Sequence, residues 1–329
     1  MKARVAVVGL GKMALLHASI LSALNSVELV SFCEISPLVR RFGKKIIPSV
    51  GIVAGVQELA GMGLDAVYVT TPPRSHFGIV REIYGAGIAH HVFVEKPLAS
   101  SYFEAQELCS LAEKHGGINM VGYDRRFSVT FGKAKRILDE GTLGQLSSFE
   151  AYAYSSDFLG SKGRSKASSR GGVISDLACH AVDIALWFFG RLEVKSARVE
   201  SLLGDGSQDA VDFQVASPAS LEGWIRSSWC KEGYRMPEIG LIVRGSSGTM
   251  KVDEDKVEVN LGKDAPFLWH KHDLGDNVPF FIGGTDYVRE DEFFIRSVLN
   301  GSPAEPSFST ASKVEEIIEH VKRMSDDSK

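Results

Sequence analysis

The chain reads as an α/β protein of two domains. An N-terminal doubly wound parallel sheet is followed by an α+β domain built on a large, mostly antiparallel open sheet. Three observations predict this. Short β-branched runs alternate with helix-length amphipathic segments as far as Val121, which is the grammar of parallel strands joined by crossover helices. Beyond Gly122 strands follow one another directly, as in antiparallel meanders. At 329 residues the chain also exceeds what one hydrophobic core usually organises.

The first strand is expected at Val5–Val8, with a helix at Lys12–Leu24, a strand at Glu28–Cys33 and a helix at Leu38–Ile46. Ala66–Thr70 is a buried strand, His76–Tyr84 an amphipathic helix and Val92–Val94 a strand; a long helix at Tyr102–His115 and a strand at Asn119–Val121 complete the alternation. The domain boundary is placed at Gly122-Tyr123, giving domains of residues 1–122 and 123–329. In the second domain a helix at Phe131–Glu140 precedes a strand at Ser147–Tyr154, and Leu177–Phe189 is apolar enough to be a buried helix. Strands are expected at Val194–Glu200, Ala210–Ala216, Ala219–Ser228, Ile239–Val243, Met250–Val252 and Val257–Asn260. Helices at Asp286–Leu299 and Ala311–Met324, separated by Gly301-Ser302-Pro303, close the chain.

Composition narrows the class of partner. With 37 basic and 41 acidic residues the formal charge is −4, which favours neither nucleic acid nor an anionic membrane. A small neutral metabolite is the expected partner. Cys33, Cys109, Cys179 and Cys230 are scattered without a Cys-x-x-Cys pair, which fits free thiols in a reducing cytosol and argues against structural zinc. No apolar run has the length of a signal core or a membrane span, so a soluble cytoplasmic protein is expected.

Two constellations carry chemistry in the first domain. Gly9-Leu10-Gly11-Lys12-Met13-Ala14 follows a strand and opens a helix, the context that a dinucleotide fingerprint requires. Gly9 permits the tight turn, Gly11 lets backbone N–H groups approach a pyrophosphate, and Ala14 allows close packing of helix on sheet. Gly9, Gly11, Lys12 and Met13 are therefore candidate cofactor contacts. Glu34, twenty positions beyond Ala14, stands where a carboxylate accepts hydrogen bonds from ribose hydroxyls and repels a 2′-phosphate. NAD is expected over NADP, with Arg40 and Arg41 leaving NADP open. The second constellation is Glu95-Lys96-Pro97, a carboxylate, an ammonium and a rigid imide directly after the run His91-Val92-Phe93-Val94. Charged residues cannot follow a buried strand inward unless paired, so the motif belongs at the rim where such sheets bind ligands. Between the two lies Thr71-Pro72-Pro73-Arg74-Ser75-His76, in which either Thr71, Pro72 and His76 line the nicotinamide side of the cofactor, or Ser75 and His76 simply cap and begin the following helix.

In the second domain Gly171-Gly172 leads into Asp176, His180 and Asp183. Asp176 and His180 are four apart, so on a helix they share a face, and a carboxylate beside an imidazole raises its basicity. Two readings stand: a general base with its orienting carboxylate, or a helix cap with a satisfied core histidine. No third metal ligand accompanies the pair, so no metal site is expected.

Taken in order, Gly9-x-Gly11-x-x-Ala14, Thr71-Pro72-x-x-x-His76, Glu95-Lys96-Pro97, Gly122-Tyr123-Asp124-Arg125-Arg126-Phe127, Asp176-x-x-x-His180-x-x-Asp183 and Gly245-x-x-Gly248-Thr249 resemble the glucose–fructose oxidoreductase / inositol dehydrogenase / rhizopine catabolism (Gfo/Idh/MocA) family. The resemblance covers nearly the whole chain and departs in Ala14, which stands for the third glycine. It implies an NAD(P)-dependent dehydrogenase or reductase acting on a sugar, sugar derivative or cyclitol. It assigns catalysis to Lys96, Asp176 and His180, cofactor contacts to Glu95 and Lys96 as well, and substrate contacts to Lys96, Arg126, Asp176 and His180. A homodimer or homotetramer is expected, because an open sheet leaves one face without helical cover. Relatives of this architecture also include NAD-dependent glycosidases and nucleotide-binding regulators; Lys96 and His180 argue against a purely regulatory protein. The basic stretch Ser161–Arg170 matches no family pattern, and two readings stand: a solvated surface loop whose charges only aid solubility, or, since it leads directly into Gly171-Gly172, a loop that brings Arg170 within reach of the pocket and favours a carboxylate or phosphate on the substrate.

Overall fold

The computed structural model describes residues 2–159, 172–203, 208–262 and 265–326. The chain divides into two compact units, Met1–Asp124 with Asn277–Glu315, and Arg125–Asp276 with Glu316–Lys329.

The first unit holds a six-stranded parallel sheet in the order β3-β2-β1-β4-β5-β6, from β1 (Ala3–Val8), β2 (Val27–Cys33), β3 (Gly51–Val53), β4 (Ala66–Val69), β5 (His91–Glu95) and β6 (Asn119–Gly122). Strand order reverses between β1 and β4, which is the topological switch point where doubly wound folds bind ligands. Helices α1 (Lys12–Ala23), α2 (Pro37–Ile46), α3 (His76–Gly85) and α4 (Tyr102–His115) connect the strands. Local chemistry sets their ends. Ser101 Oγ accepts the Glu104 N–H at the start of α4, and Gly116, at φ 68°, closes it in the left-handed conformation. The centre of the sheet is dry: Tyr68 and Phe93, neighbours on β4 and β5, are fully buried and stack at 4.5 Å.

The first unit ends at Asp124, beside the expected boundary at Gly122-Tyr123, and the division of the chain differs from the expected one in a later segment. Residues 123–329 do not form one continuous domain, because Asn277–Glu315 belongs to the first unit. The reason is packing. Helix α7 (Thr285–Asn300) buries Val288, Phe294 and Ile295, and Phe294 meets Tyr68 and Phe93 edge-on at 5.5 and 5.6 Å. Burying a phenylalanine stabilises by about 1.5–3 kcal/mol, and this ring would lose its partners anywhere else. Hydrogen bonds reinforce the return: Val121 N–H donates to Pro306 O at 2.9 Å, and Leu98 N–H to Glu315 Oε1 at 2.9 Å.

The second unit holds an eight-stranded sheet in the order β14-β13-β12-β11-β7-β10-β9-β8. Its strands are β7 (Leu146–Tyr154), β8 (Glu193–Glu200), β9 (Ala210–Ala216), β10 (Glu222–Ser228), β11 (Glu238–Gly245), β12 (Gly248–Val252), β13 (Lys256–Asn260) and β14 (Phe267–His270). All pairings are antiparallel except β7 with β10. Alternation along β7 buries Phe149, Ala151 and Ala153 on one face, where Phe149 stacks on Phe189 of α6 (Cys179–Phe189) at 4.1 Å. Gly223 is required beside it, since a Cβ there would stand 2.2 Å from the Phe149 ring. The other face carries Glu150, Tyr152, Tyr154, Trp224 and Arg226, with Arg226 Nη1 donating to Glu150 Oε1 at 3.0 Å and Tyr152 Oη to Glu238 Oε1 at 2.9 Å. Strands β3 and β14 were absent from the sequence reading. β3 has only three residues, and β14 has no buried position to create a pattern. α5 (Val129–Asp139) and α8 (Phe308–Asp326) complete the helices.

Candidate functional site

In the first unit the carboxyl ends of β1, β2, β4 and β5 lie along one edge, because these strands are parallel neighbours in register. Gly9 follows β1 at φ 102°, a conformation L-residues rarely adopt, and donates its N–H to Cys33 O at 2.7 Å. A Cβ there would also press on Thr71 Cγ2 at 3.2 Å. Gly11 caps α1 without a side-chain partner, and a Cβ on it would meet nothing within 4 Å. The first turn of α1, which begins at Lys12 and Met13, thus has no side-chain cap and no acidic residue, and leaves its N–H groups available to an anion. Ala14 is fully buried against the sheet.

Glu34 stands just beyond β2. One carboxylate oxygen accepts the Leu10 N–H at 3.0 Å and the other the Ser36 N–H at 2.7 Å, so the acidic residue also braces the glycine turn. Arg40 Nη1 is engaged by the Glu34 and Ile35 carbonyls at 2.7 and 2.8 Å, and Arg41 is exposed. An uncapped helix start behind an open glycine, with a carboxylate at the next strand end, fits the pyrophosphate and ribose of a dinucleotide. Burial, with help from Glu58 and Glu34, pushes the Cys33 thiol up to about 11, so this neighbour is not a reactive thiolate.

Thr71 and Pro72 follow β4, and Ser75 Oγ donates to Thr71 Oγ1 at 2.8 Å. His76 is fully buried; its Nδ1 lies 2.9 Å from Pro97 O and its Nε2 2.7 Å from Thr71 O. Burial lowers its pKa, against the raising effect of those carbonyls. Of the two roles open in the sequence, the geometry is that of a staple joining the Thr71 turn to the Lys96-Pro97 turn. His76 thus positions candidate residues at the edge without being exposed there itself.

Glu95 ends β5 and is buried, whereas Lys96 is partly exposed. Glu95 Oε2 accepts the Lys96 N–H at 3.1 Å, and Oε1 accepts from His17 Nε2 at 2.8 Å. His17 Nδ1 in turn donates to the Asp291 carboxylate at 2.9 and 3.0 Å. Glu95 therefore braces the turn from behind, a role different from the cofactor contact expected of it. Burial alone would drive the His17 proton off, yet Asp291 and Glu95 outweigh it and hold the pKa well above the usual imidazole value. His17 and Asp291 escaped the sequence reading. His17 merely occupies a buried position of α1, and its partner lies 274 residues away.

In the second unit Asp176 sits in a widened turn, Ile174–Ala178, that leads into α6. Such π-turns recur at functional sites. Along residues 173–186, Ser175, Asp176 and His180 are partly exposed while every other side chain is buried. The two predicted residues thus stand together at the accessible rim of an otherwise apolar helix. Asp183 is buried and grips Arg126, whose Nε and Nη2 donate to it at 2.9 and 2.6 Å. The Arg126 guanidinium, expected to bind substrate, is thus committed to a bidentate pair within its own unit. Arg170 and the basic stretch 161–170, together with Gly171, lie outside the described residues. Among the described residues no group of three or more His, Cys, Asp or Glu could hold a metal ion, and no helix is long and apolar enough to cross a membrane.

A doubly wound sheet with a glycine turn and acidic strand end, joined to an open-sheet unit, defines the class of two-domain dinucleotide-binding oxidoreductases. Residues 3–123 match the model described as "Oxidoreductase family, NAD-binding Rossmann fold", and residues 131–251 the "GFO/IDH/MocA C-terminal domain". The chain belongs to the Gfo/Idh/MocA family. It is 31% identical to "Uncharacterized oxidoreductase C115.03" of Schizosaccharomyces pombe over 60% of this chain and 55% of that one. It is 30% identical to "scyllo-inositol 2-dehydrogenase (NAD(+))" of Bacillus subtilis over 62% and 57% respectively. In both, the chain spans little more than half of the curated relative. "Myo-inositol dehydrogenase Hyg17" of Streptomyces leeuwenhoekii is 29% identical over 93% of this chain and 91% of its own. The solved structure of levoglucosan dehydrogenase in complex with NADH and levoglucosan shares the fold, with a TM-score of 0.86 and 18% identity over 100% of this chain and 98% of that one.

Proposed function

We propose that the protein is an NAD-dependent dehydrogenase or reductase that interconverts a hydroxyl and a carbonyl on a sugar, sugar derivative or cyclitol. The observation that carries this reading is the shared edge of the parallel sheet, where the open Gly11 turn, Glu34 and Lys96 stand at the ends of β1, β2 and β5. Gly9, Gly11, Lys12 and Met13 would hold the pyrophosphate, Glu34 the ribose hydroxyls, and Thr71, Pro72 and Lys96 the nicotinamide half. When bound, the nicotinamide supplies the hydride chemistry. His180 takes the hydroxyl proton, Lys96 stabilises developing charge on the substrate oxygen, and Asp176 orients the substrate or the imidazole. The names of the relatives support a polyol or sugar as the substrate class.

The test is a panel of polyols, sugars and aryl glycosides incubated with NAD. NADH formation from polyols or sugars is the expected result. Cleavage of aryl glycosides without net cofactor change would replace the reading with an NAD-dependent glycosidase, and NAD binding without any turnover would replace it with a regulator.

Cofactor choice gives a prediction of its own. A carboxylate at Glu34 that held the ribose hydroxyls would repel the charge of a 2′-phosphate. NAD should be favoured over NADP, and Glu34→Ser should reduce that preference roughly tenfold or more. Tighter binding of NADP by the unaltered protein would assign the pocket to Arg40 or Arg41.

We also place assembly on the open face of the eight-stranded sheet. Tyr152, Tyr154 and Trp224 supply apolar area with polar tips there, a composition suited to a face shared between copies. Helices α5 and α6 lie on the opposite side. Sedimentation at micromolar concentration should give a dimer or tetramer; a monomer would remove the proposal.

A further inference from the structure

Behind the Lys96 turn the first unit contains a chain of buried charge that the proposed reaction does not itself use. His17 of α1 is fully buried between Asp291 of α7 and Glu95 of β5, and the free oxygen of Glu95 holds the Lys96 amide. An ionised carboxylate only accepts hydrogen bonds, so an imidazole between two of them donates from both nitrogens and carries a positive charge. Its orientation is fixed on the remaining sides as well, by Phe93 at 5.2 Å, Tyr68 at 5.6 Å and Tyr287 at 6.0 Å.

The surroundings are acidic. Asp291 and Glu290 face the imidazole from α7, Glu95 from β5 and the Tyr68 phenol from β4, while Asp124 acts on Glu290. Burial, then Asp124 and Glu95, push the Glu290 carboxyl well up, and burial pushes Asp291 up against the lowering effect of His17. A histidine placed where desolvation is most costly and linked to the residue before the candidate lysine does more than fill space. A merely structural filler would be apolar, since buried ion pairs are often no more stabilising than well-packed hydrophobic groups.

We infer that His17 is a positioning residue for Lys96: by tying Glu95 to Asp291 it fixes the carboxylate that holds the Lys96 amide, and so sets the direction in which the lysine leaves the sheet edge. The inference rests on the reading of Lys96 as the charge-stabilising group. The link also explains why α7 returns to the first unit, since Asp291 anchors the far end of the chain of contacts. The turn it orders lies at the end of β5, whereas the glycine turn and Glu34 lie at the ends of β1 and β2. Loss of the link should therefore act on the chemical step and spare cofactor binding.

The experiment compares the unaltered protein with His17→Gln and Asp291→Asn, each checked for folding by circular dichroism. Two readouts are taken. The first is kcat and KM on whichever polyol is oxidised. A fall in kcat of tenfold or more, with KM for NAD within twofold, is expected for His17→Gln, with a smaller fall for Asp291→Asn, which preserves shape. The second needs no turnover: competitive acetylation of lysines across a pH series, read by mass spectrometry with exposed Lys45 as internal reference. Lys96 labelling should change threefold or more in the variants while Lys45 does not. Unchanged labelling in a folded variant overturns the inference, even if kcat falls. Absence of polyol oxidation by the unaltered protein counts against the proposed function alone, because the labelling comparison still reads the position of Lys96. Should His17→Gln fail to fold, Asp291→Asn carries the same comparison.

Discussion

Replacing Lys96 with methionine should lower turnover by roughly a hundredfold or more while leaving NAD affinity and the unfolding midpoint nearly unchanged. Methionine is close to lysine in length and unbranched, so the partly exposed stem can occupy the same space without the charge. The residues behind it do not depend on the ammonium: Glu95 holds the Lys96 backbone N–H, and His76 contacts Pro97 O. The substitution therefore removes one positive charge from the edge of the sheet and leaves both of these backbone contacts in place. NADH binding followed by fluorescence and turnover followed by NADH absorbance separate the two effects. Turnover within threefold of the unaltered protein would remove Lys96 from the mechanism, and lost NADH binding would make its contact with the nicotinamide half the ammonium's main role.

The other large effect is on stability. Arg126→Ala should destabilise the second unit by about 3–5 kcal/mol, the cost expected when one partner of a buried ion pair is removed. Asp183 is 1% exposed and Arg126 9%, so water cannot replace the lost donors. The guanidinium also lies over the Trp187 ring at 5.8 Å, which adds packing that alanine cannot supply. The companion variant Arg126→Met with Asp183→Leu, which removes both charges and keeps the volume, should recover most of the loss. Urea unfolding followed by tryptophan fluorescence reads both. Loss below 1 kcal/mol for Arg126→Ala would show that the pair is solvated, and would return Arg126 to the candidates for substrate binding.

The family was legible in the sequence because its signals are local. Gly9 was readable because a tight strand-to-helix turn needs a residue that tolerates φ 102°, and Glu34 because its distance from the fingerprint is set by one helix and one strand. Lys96 was readable because a charged pair after an apolar run must stop at the rim. The helix expected near Tyr102–His115 is found there, with Ser101 and Gly116 closing its two ends. Asp176 and His180 share the accessible rim of their helix, as spacing predicted, although the widened turn that carries Asp176 had no visible signature.

Long-range pairing was not legible. Nothing in the order of residues says that Asp291 meets His17 or that Arg126 is engaged by Asp183, because a charged residue in an amphipathic helix looks the same whether it faces water or a partner. The return of residues 277–315 to the first unit was missed for the same reason: Phe294 and Asp291 lie on a helix whose pattern shows that it has a buried face, but not against which sheet. Sequence by itself determined the elements, the glycine turn and the candidate chemical groups, since each depends on backbone geometry and charge within a few residues. Only the tertiary structure decided which charges are paired and which remain at the accessible edge, because burial is a property of the packed chain and desolvation favours either a partner or the neutral form for every ionisable group that packing encloses.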